Sequence, residues 1–441
     1  MKTQTASRIA FTTLGCKVNQ SETDLLARQF AAAGYERVPF EDLADVYVVN
    51  TCTVTHVADK KSRQMLSQAR RANPDALVVA TGCYASIIGQ QLADDRTLVI
   101  RSRDKDRVVE LVEGSIGRTV PDSPVWTDVE KYLNVATPQN RARPMVKAQD
   151  GCDSHCTYCI IPRARGRSRS VPVEDVVRRV AALAREGHAE VVITGVDLGS
   201  YGEDDPSLPD LGGLLEETLG RTQVKRLRVS SVEPGDFDTA WLKLWESPRL
   251  CRHLHVPLQA GNGGVLERMD RKYTPEQFAE MLAECRSVIP GLTITTDVIT
   301  GFPGETDQEF EDGLRFIREQ RFDGMHVFKY SRRSGTKAAH LPDQVSEALK
   351  AQRGHLLREE AMVGVSRLLD RHRGVTARIA WEVAGDTVWR GLTDTNVRVY
   401  GSPDLTQGAQ GVISKRRLTT PFRDGLWSEP QGIEIPLLPI S

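Results

Sequence analysis

The stretch Met145-Val-Lys-Ala-Gln-Asp-Gly-Cys-Asp-Ser-His-Cys-Thr-Tyr-Cys159 joins a short apolar strand to a loop bearing three cysteines. The strand, Met145–Gln149, opens a series of about six strand–helix units. Its successors are Glu190–Thr194, Lys225–Ser230, His253–Pro257, Leu292–Ile299 and Gly324–Tyr330. Helices fall between them, such as Val173–Glu186, closed by Gly187, and Pro275–Ile289. Such alternation builds a parallel sheet, and six units fall short of the eight in a closed barrel. Residues 144–372 therefore predict a partial (β/α)6 barrel that runs into a long charged helix, about Asp343–Arg373.

On the amino-terminal side, residues 1–118 show the same alternation. Arg8–Leu14, Asp45–Val49, Leu77–Thr81 and Thr97–Ile100 read as strands. Ser21–Ala33 reads as a helix with Leu25, Leu26 and Phe30 on one face and Gly34 at its end. A second parallel α/β unit follows from this. Residues 119–143, with Pro121, Pro124, Pro138 and Asn140, read as a linker. From residue 373 to 441 the pattern changes to short alternating runs: Val375–Glu382, Thr387–Leu392, Val397–Tyr400 and Gly411–Arg417. Gly, Asp, Asn and Pro separate them, which predicts a small all-β module of barrel type. The fold class is α/β with this all-β addition.

Bulk properties narrow the function. With 441 residues the chain is too long for one ordinary core. Hydrophobic content of 40%, charged content of 27% and a formal net charge of −1 describe a globular protein whose basic surface is local. No apolar run reaches membrane-spanning length, and Met1-Lys-Thr-Gln-Thr-Ala-Ser has no signal-peptide core. These features predict a cytoplasmic protein with no membrane partner. In a reducing compartment its eight cysteines are metal ligands or redox groups before they are disulfides.

Cys152, Cys156 and Cys159 form a C-x3-C-x2-C set just past the first barrel strand, at the end where such barrels place active sites. Zinc takes four ligands, commonly as two C-x2-C pairs, and here a fourth would have to be His155. Three thiolates on a [4Fe–4S] cube leave one iron open to a small molecule, which favours iron–sulfur over zinc. Cys16, Cys52 and Cys83 are far apart in sequence, yet each lies just beyond a predicted strand. The carboxyl ends of parallel strands share one edge, where ligands bind, so these three read as a second cluster site. The plainer alternative is three core cysteines, although core residues lie within strands. Cys285 continues the helical stripe Phe278, Leu282, Cys285, Ile289, and Cys251 precedes its strand; both read as structural.

These residues resemble the methylthiotransferases of the radical S-adenosylmethionine superfamily. The likeness also includes Thr13-Leu-Gly-Cys-Lys-Val-Asn-Gln, Val49-Asn-Thr-Cys-Thr-Val-Thr and Thr81-Gly-Cys-Tyr-Ala. Ser230-Ser-Val-Glu-Pro, His255-Val-Pro-Leu-Gln-Ala-Gly, Gly301-Phe-Pro-Gly-Glu-Thr and Tyr330-Ser-Arg-Arg-Ser-Gly-Thr complete it in order. It implies an amino-terminal methylthiotransferase domain, a radical barrel and a TRAM-like β module. The segments around Cys16 and Cys52 are most similar to the branch acting on N6-threonylcarbamoyladenosine at position 37 of tRNA. Sister branches act on isopentenyladenosine or on a ribosomal-protein aspartate, and a zinc-containing RNA-binding protein without catalysis is the reading from another class. Ser154, His155 and Asp197 depart from the family's usual residues.

The resemblance implies two [4Fe–4S] clusters, S-adenosyl-L-methionine, a tRNA substrate, and an electron donor such as a flavodoxin or ferredoxin system. The Cys152/Cys156/Cys159 cluster would cleave the cofactor reductively, and the Cys16/Cys52/Cys83 cluster would carry the inserted sulfur. Tyr158, Gly195, Ser231, Glu233 and Gln259 become candidate cofactor contacts, Gly195 because it lies in the glycine-rich loop Thr194-Gly-Val-Asp-Leu-Gly-Ser-Tyr-Gly. Arg163, Arg165, Arg167 and Arg169 alternate after the cluster loop, and an extended chain would aim all four to one side. Arg165 and Arg169 are therefore candidate RNA contacts.

Overall fold

The computed structural model describes residues 7–118, 120, 124–133, 142–384, 388–402 and 411–430. The linker residues Pro121, Pro138 and Asn140 lie outside them.

The amino-terminal unit runs β1 (Arg8–Thr13), α1 (Lys17–Ala32), β2 (Glu36–Val38), β3 (Val46–Thr51), α2 (His56–Ala72), β4 (Leu77–Gly82), α3 (Cys83–Ile88), β5 (Thr97–Ile100) and α4 (Val108–Ser115). Its sheet is all parallel in the order β2-β1-β3-β4-β5. All six β3 residues are buried, as expected for a central strand with both faces covered. Strand order reverses between β1 and β3, and a doubly wound sheet leaves a ligand crevice outside the carboxyl ends at such a point. Helix α1 begins at Lys17, four residues before the sequence-based start, with Cys16 as its N-cap. The three-residue edge strand β2, two of whose residues are exposed, carries no alternation long enough to read from sequence.

After α5 (Val129–Leu133) comes the barrel. Its elements are β6 (Met145–Lys147), β7 (Gln149–Asp150), α6 (Ile161–Arg165), β8 (Arg169–Ser170), α7 (Val173–Arg185), β9 (Glu190–Thr194), α8 (Leu211–Arg221), β10 (Arg226–Val229), β11 (His253–His255), α9 (Gly263–Arg268), α10 (Pro275–Val288), β12 (Thr293–Thr300), α11 (Asp307–Gln320), β13 (Gly324–Lys329) and α12 (Glu347–His372). Two parallel three-stranded sheets, β10-β9-β6 and β11-β12-β13, meet through isolated bridges at Leu227–Leu250 and Ser231–His255. The six strands form an open barrel, as the sequence predicts. Outward residues such as Val191, Ile193, Leu227, Val229, Ile294 and Val298 pack with the surrounding helices in two apolar cores. By alternation, Arg226, Arg228, Ser230, His253, His255, Thr295 and Asp297 face the lumen, which is strongly polar.

Helix α1 docks along the edge strand β6: Ser21 Oγ donates to the Met145 carbonyl at 2.9 Å and accepts from the Lys147 N–H at 3.1 Å. The amino-terminal unit thus covers the open side of the barrel. At the other end β14 (Thr376–Ala384), β15 (Trp389–Thr393), β16 (Arg398–Gly401), β17 (Ile413–Phe422) and β18 (Gly425–Pro430) close a small barrel around Trp381, Leu418 and Leu426. Strand β18 lies beyond the four strands that the sequence predicts for this module. This barrel hangs on Arg226 and Arg228, which donate to the carbonyls of Leu392 (2.7 Å) and Thr393 (2.9 Å) while both pair with Glu190.

Candidate functional site

In the sheet register Thr51 lies opposite Gly82, and Cys52 and Cys83 are the next residues on those adjacent strands. On the other side Thr13 lies opposite Asn50, so the Leu14–Gly15–Cys16 loop emerges beside Cys52. The approach is close: a Cβ on Gly15 would stand 2.7 Å from Cys52 Sγ. Cys52 lies within Coulomb range of both Cys83 and Cys16. Three residues scattered over 68 positions of sequence therefore reach one edge, at the crevice between β1 and β3. Gly82 makes the turn into Cys83 at φ +93°, and a Cβ there would meet the Thr51 carbonyl oxygen at 2.3 Å. Asn19 ties the loop down by donating to the carbonyls of Leu14 (2.7 Å) and Thr51 (3.0 Å).

Cys152, Cys156 and Cys159 lie on the loop between β7 and α6, at the carboxyl end of the first barrel strand. Cys152 Sγ donates to Asp197 Oδ2 at 3.0 Å, and Arg271 Nη1 donates to Cys156 Sγ at 3.2 Å. Among the described residues no three Cys, His, Asp or Glu side chains converge tightly enough for a single metal ion. A [4Fe–4S] cluster held by Cys152, Cys156 and Cys159 would be the group that three thiolates suit, with one iron left for the cofactor. Burial pushes the Cys52 thiol up to about 11 and the Cys159 thiol to about 12, and raises Cys83, Cys152 and Cys156 as well. Such groups become thiolates when a cation binds them.

The space beside this loop is polar and incompletely paired. Ser230 Oγ, Tyr330 OH and His253 Nδ1 are buried without a hydrogen-bond partner. Buried polar atoms are seldom left so, and Ser230 and Tyr330, just past the carboxyl ends of β10 and β13, suit a polar ligand such as S-adenosylmethionine.

Comparison with known proteins gives the same assignment. Residues 146–317 match the radical SAM superfamily, and residues 8–100 match a family described as uncharacterized protein family UPF0004. Over 357 residues the chain is 42% identical to the threonylcarbamoyladenosine tRNA methylthiotransferase MtaB of Bacillus subtilis, covering 79% of each protein. The Aquifex aeolicus protein of that name is 40% identical, over 80% of this chain and 87% of its own. A tRNA-2-methylthio-N(6)-dimethylallyladenosine synthase of Pelotomaculum thermopropionicum is 34% identical, over 77% and 78%. This chain belongs to the radical S-adenosylmethionine methylthiotransferase family. The fold agrees with the radical S-adenosylmethionine methyltransferase TsrM of Kitasatospora setae at a TM-score of 0.54 and 17% identity, over 76% of this chain and 77% of that one.

Within this methylthiotransferase the remaining sequence-based candidates separate. Glu233 is held by an ion pair to Arg271, the arginine that also reaches Cys156. Tyr158 sits edge-on to Phe302, with ring centroids 6.4 Å apart, against the barrel core. Gly195 is packed on Gln149, whose Cβ would lie 3.1 Å from a Cβ there. Ser231 bridges to β11, and Gln259, at φ +61°, is inserted beside Val298 in β12. A non-glycine residue held there is the kind of strain that gathers at binding sites.

The arginine row requires correction. Residues 161–165 are helical, so the four side chains do not share a side. Arg165 is only 2% exposed, bonded to Glu22, Asp150 and Asn19, and cannot meet an RNA backbone. Arg163 lies over Gly335 and Arg167 pairs with Asp153, while Arg169 remains on the surface. The sequence reading missed Arg271, Glu22, Lys105 and Arg333. Arg333 donates to Thr53 and pairs with Asp59 at 2.8 Å, clamping the Cys52 loop to the barrel. No periodicity marks such residues, because their partners are distant in sequence. Lys17, exposed at the start of α1, has its pKa pushed down by desolvation and by the charges of Arg143 and Arg228.

Proposed function

We propose that the protein inserts a methylthio group at C2 of N6-threonylcarbamoyladenosine at position 37 of tRNA, with Cys152, Cys156 and Cys159 holding one [4Fe–4S] cluster and Cys16, Cys52 and Cys83 a second. The observation that carries this reading is the register Thr51–Gly82 and Thr13–Asn50, which delivers three thiols to one edge facing the barrel that bears the other three. When bound, the barrel cluster supplies the electron that cleaves S-adenosylmethionine, and the amino-terminal cluster supplies sulfur. The protein's own residues position and enclose. Arg271 holds Glu233 and Cys156 together, Asp197 orients the Cys152 loop, and the unpaired Ser230 suits a polar group of the ligand. The buried cluster of Glu22, Arg165, Asp150, Lys105 and Lys147 fixes the two loops relative to each other.

Substrate choice follows the threonylcarbamoyl-specific relatives, three of which are 37–42% identical and two 32–34%, against 32–35% for three dimethylallyl-specific ones. A single-stranded anticodon loop offers an unstacked base to such a pocket, and Arg169 on the surface suits the backbone. A flavodoxin- or ferredoxin-type donor supplies electrons, and the protein works in the cytoplasm; among the described residues no helix is long and apolar enough to cross a membrane. Mass spectrometry of tRNA nucleosides from cells lacking the protein tests the reading. It expects loss of 2-methylthio-N6-threonylcarbamoyladenosine with the isopentenyl counterpart intact, and the reverse pattern would overturn it.

A further inference from the structure

A cavity of about 640 Å³ lies between the floor of the radical barrel and the carboxy-terminal module. It borders the amino ends of the strands, where Arg226 starts β10 and Arg252 precedes β11. The barrel's cysteine loop lies at the opposite, carboxyl ends, so this cavity is separate from the catalytic site.

Its lining is basic from both sides. Arg226, Arg252 and Arg371 come from the barrel and α12, and Arg378 and Lys415 from the module. The first three have carboxylate partners: Arg226 pairs with Glu190, Arg252 with Asp394 at 2.7 Å and Arg371 with Asp323 at 2.8 Å. Arg378 and Lys415 have none among the described residues. Besides Asp394, Glu246 is the one acid among the described residues of the lining.

The placement of the two unpaired cations is itself unfavourable. Arg378 on β14 stands directly opposite Lys415 on β17, and both are exposed. Like charges in that relation repel. Arg252 and Arg371, each nearly half exposed, add two guanidinium groups from the barrel wall. Such a set calls for an anion with several charges, and phosphate is what these groups hold best. Trp245 supplies an aromatic wall, its ring fixed by Nε1 donating to the Cys251 carbonyl at 2.8 Å. The volume is that of a small-molecule site, whereas duplex RNA presents its phosphates along an outer surface.

We propose that this cavity binds a nucleoside di- or triphosphate. Its phosphates lie between Arg378 and Lys415 of the module and Arg252 and Arg371 of the barrel, with the base beside Trp245. The bound anion relieves the repulsion between Arg378 and Lys415 and joins module to barrel alongside the bonds from Arg226 and Arg228. Binding therefore stabilises the docked arrangement.

The test is calorimetric titration of the iron-loaded holoenzyme with ATP, ADP, AMP and tripolyphosphate. Salt is held at about 0.15 M to screen loose surface binding, and saturating S-adenosylmethionine occupies the barrel site. ATP is expected to bind about 10- to 100-fold more tightly than AMP, the range of a charged hydrogen bond, and more tightly than tripolyphosphate, which has no base. The double variant Arg378→Gln/Lys415→Gln should weaken ATP by at least about 10-fold while still cleaving S-adenosylmethionine to 5′-deoxyadenosine at the wild-type rate. The comparison among ligands needs no variant, so a misfolded variant leaves the test intact. ATP binding no tighter than AMP, or ATP binding kept in the double variant, would overturn the proposal. Tripolyphosphate binding as tightly as ATP would mark a plain anion site, and displacement of ATP by tRNA would assign the cations to an RNA backbone; either result overturns it as well.

Discussion

Arg165 Nη1 donates to Glu22 Oε1 at 2.9 Å across 143 positions of chain, and to Asp150 Oδ1 at 2.6 Å. Arg165 lies six residues after Cys159, Asp150 two before Cys152, and Glu22 six after Cys16. One guanidinium therefore ties the amino-terminal cysteine loop to both shoulders of the barrel loop. Burial opposes the charge on Glu22, yet Arg165, Lys105 and Lys147 hold its carboxyl well below the usual range. Breaking a buried pair leaves a bare charge, so Arg165→Met should cost about 3–5 kcal/mol of stability in chemical denaturation. Arg169→Met, on the surface, should cost less than about 0.5 kcal/mol.

Glu190 plays the same part at the other end. Burial alone would raise its carboxyl, but Arg228, Arg226 and Arg143 hold it far below the ordinary range. A depressed folded-state pKa contributes stability above the unfolded value that is lost as pH falls through the folded one. Wild type should exceed Glu190→Gln by about 3–5 kcal/mol at pH 7. The advantage should shrink only as pH drops below about 4. Limited proteolysis should show the carboxy-terminal barrel released first in the variant, since Arg226 and Arg228 carry its docking bonds.

Gly82→Ala places a methyl group against the Thr51 carbonyl oxygen at a φ that disfavours any side chain. The expected loss is about 1–3 kcal/mol. Because Cys83 is the next residue, iron bound at the amino-terminal trio should fall while iron at the barrel trio is kept.

Arg271→Met removes a positive donor from Cys156 Sγ. Hydrogen bonds and charge at cluster sulfurs set reduction potential, so the barrel cluster should become harder to reduce at unchanged iron content. A redox titration followed by electron paramagnetic resonance reads this directly.

Legibility in the sequence followed distance along the chain. Cys52 and Cys83 betrayed their site because each closes a strand whose hydrophobic run is plain, and parallel strands end together. The alternation of arginines suggests an extended chain around Arg165, whereas Pro162 in the first turn of α6 and Gly166 just past its end are the local signs of the short helix. Asp197 stood out as an unusual residue, but its bond to Cys152 exists only once β9 is laid in the barrel near β6. Glu22, Lys105 and Arg271 meet partners between 38 and 143 positions away, and no local pattern encodes such pairs.

The most direct measurement is iron and sulfide content of anaerobically purified protein in three forms: wild type, the Cys16/Cys52/Cys83→Ala triple variant and the Cys152/Cys156/Cys159→Ala triple variant. Wild type should hold about eight irons and each variant about four. Only the first variant should still cleave S-adenosylmethionine to 5′-deoxyadenosine, and neither should methylthiolate RNA. A wild type with zinc in place of iron, or a variant that keeps its full iron after losing three cysteines, would contradict the two-cluster account.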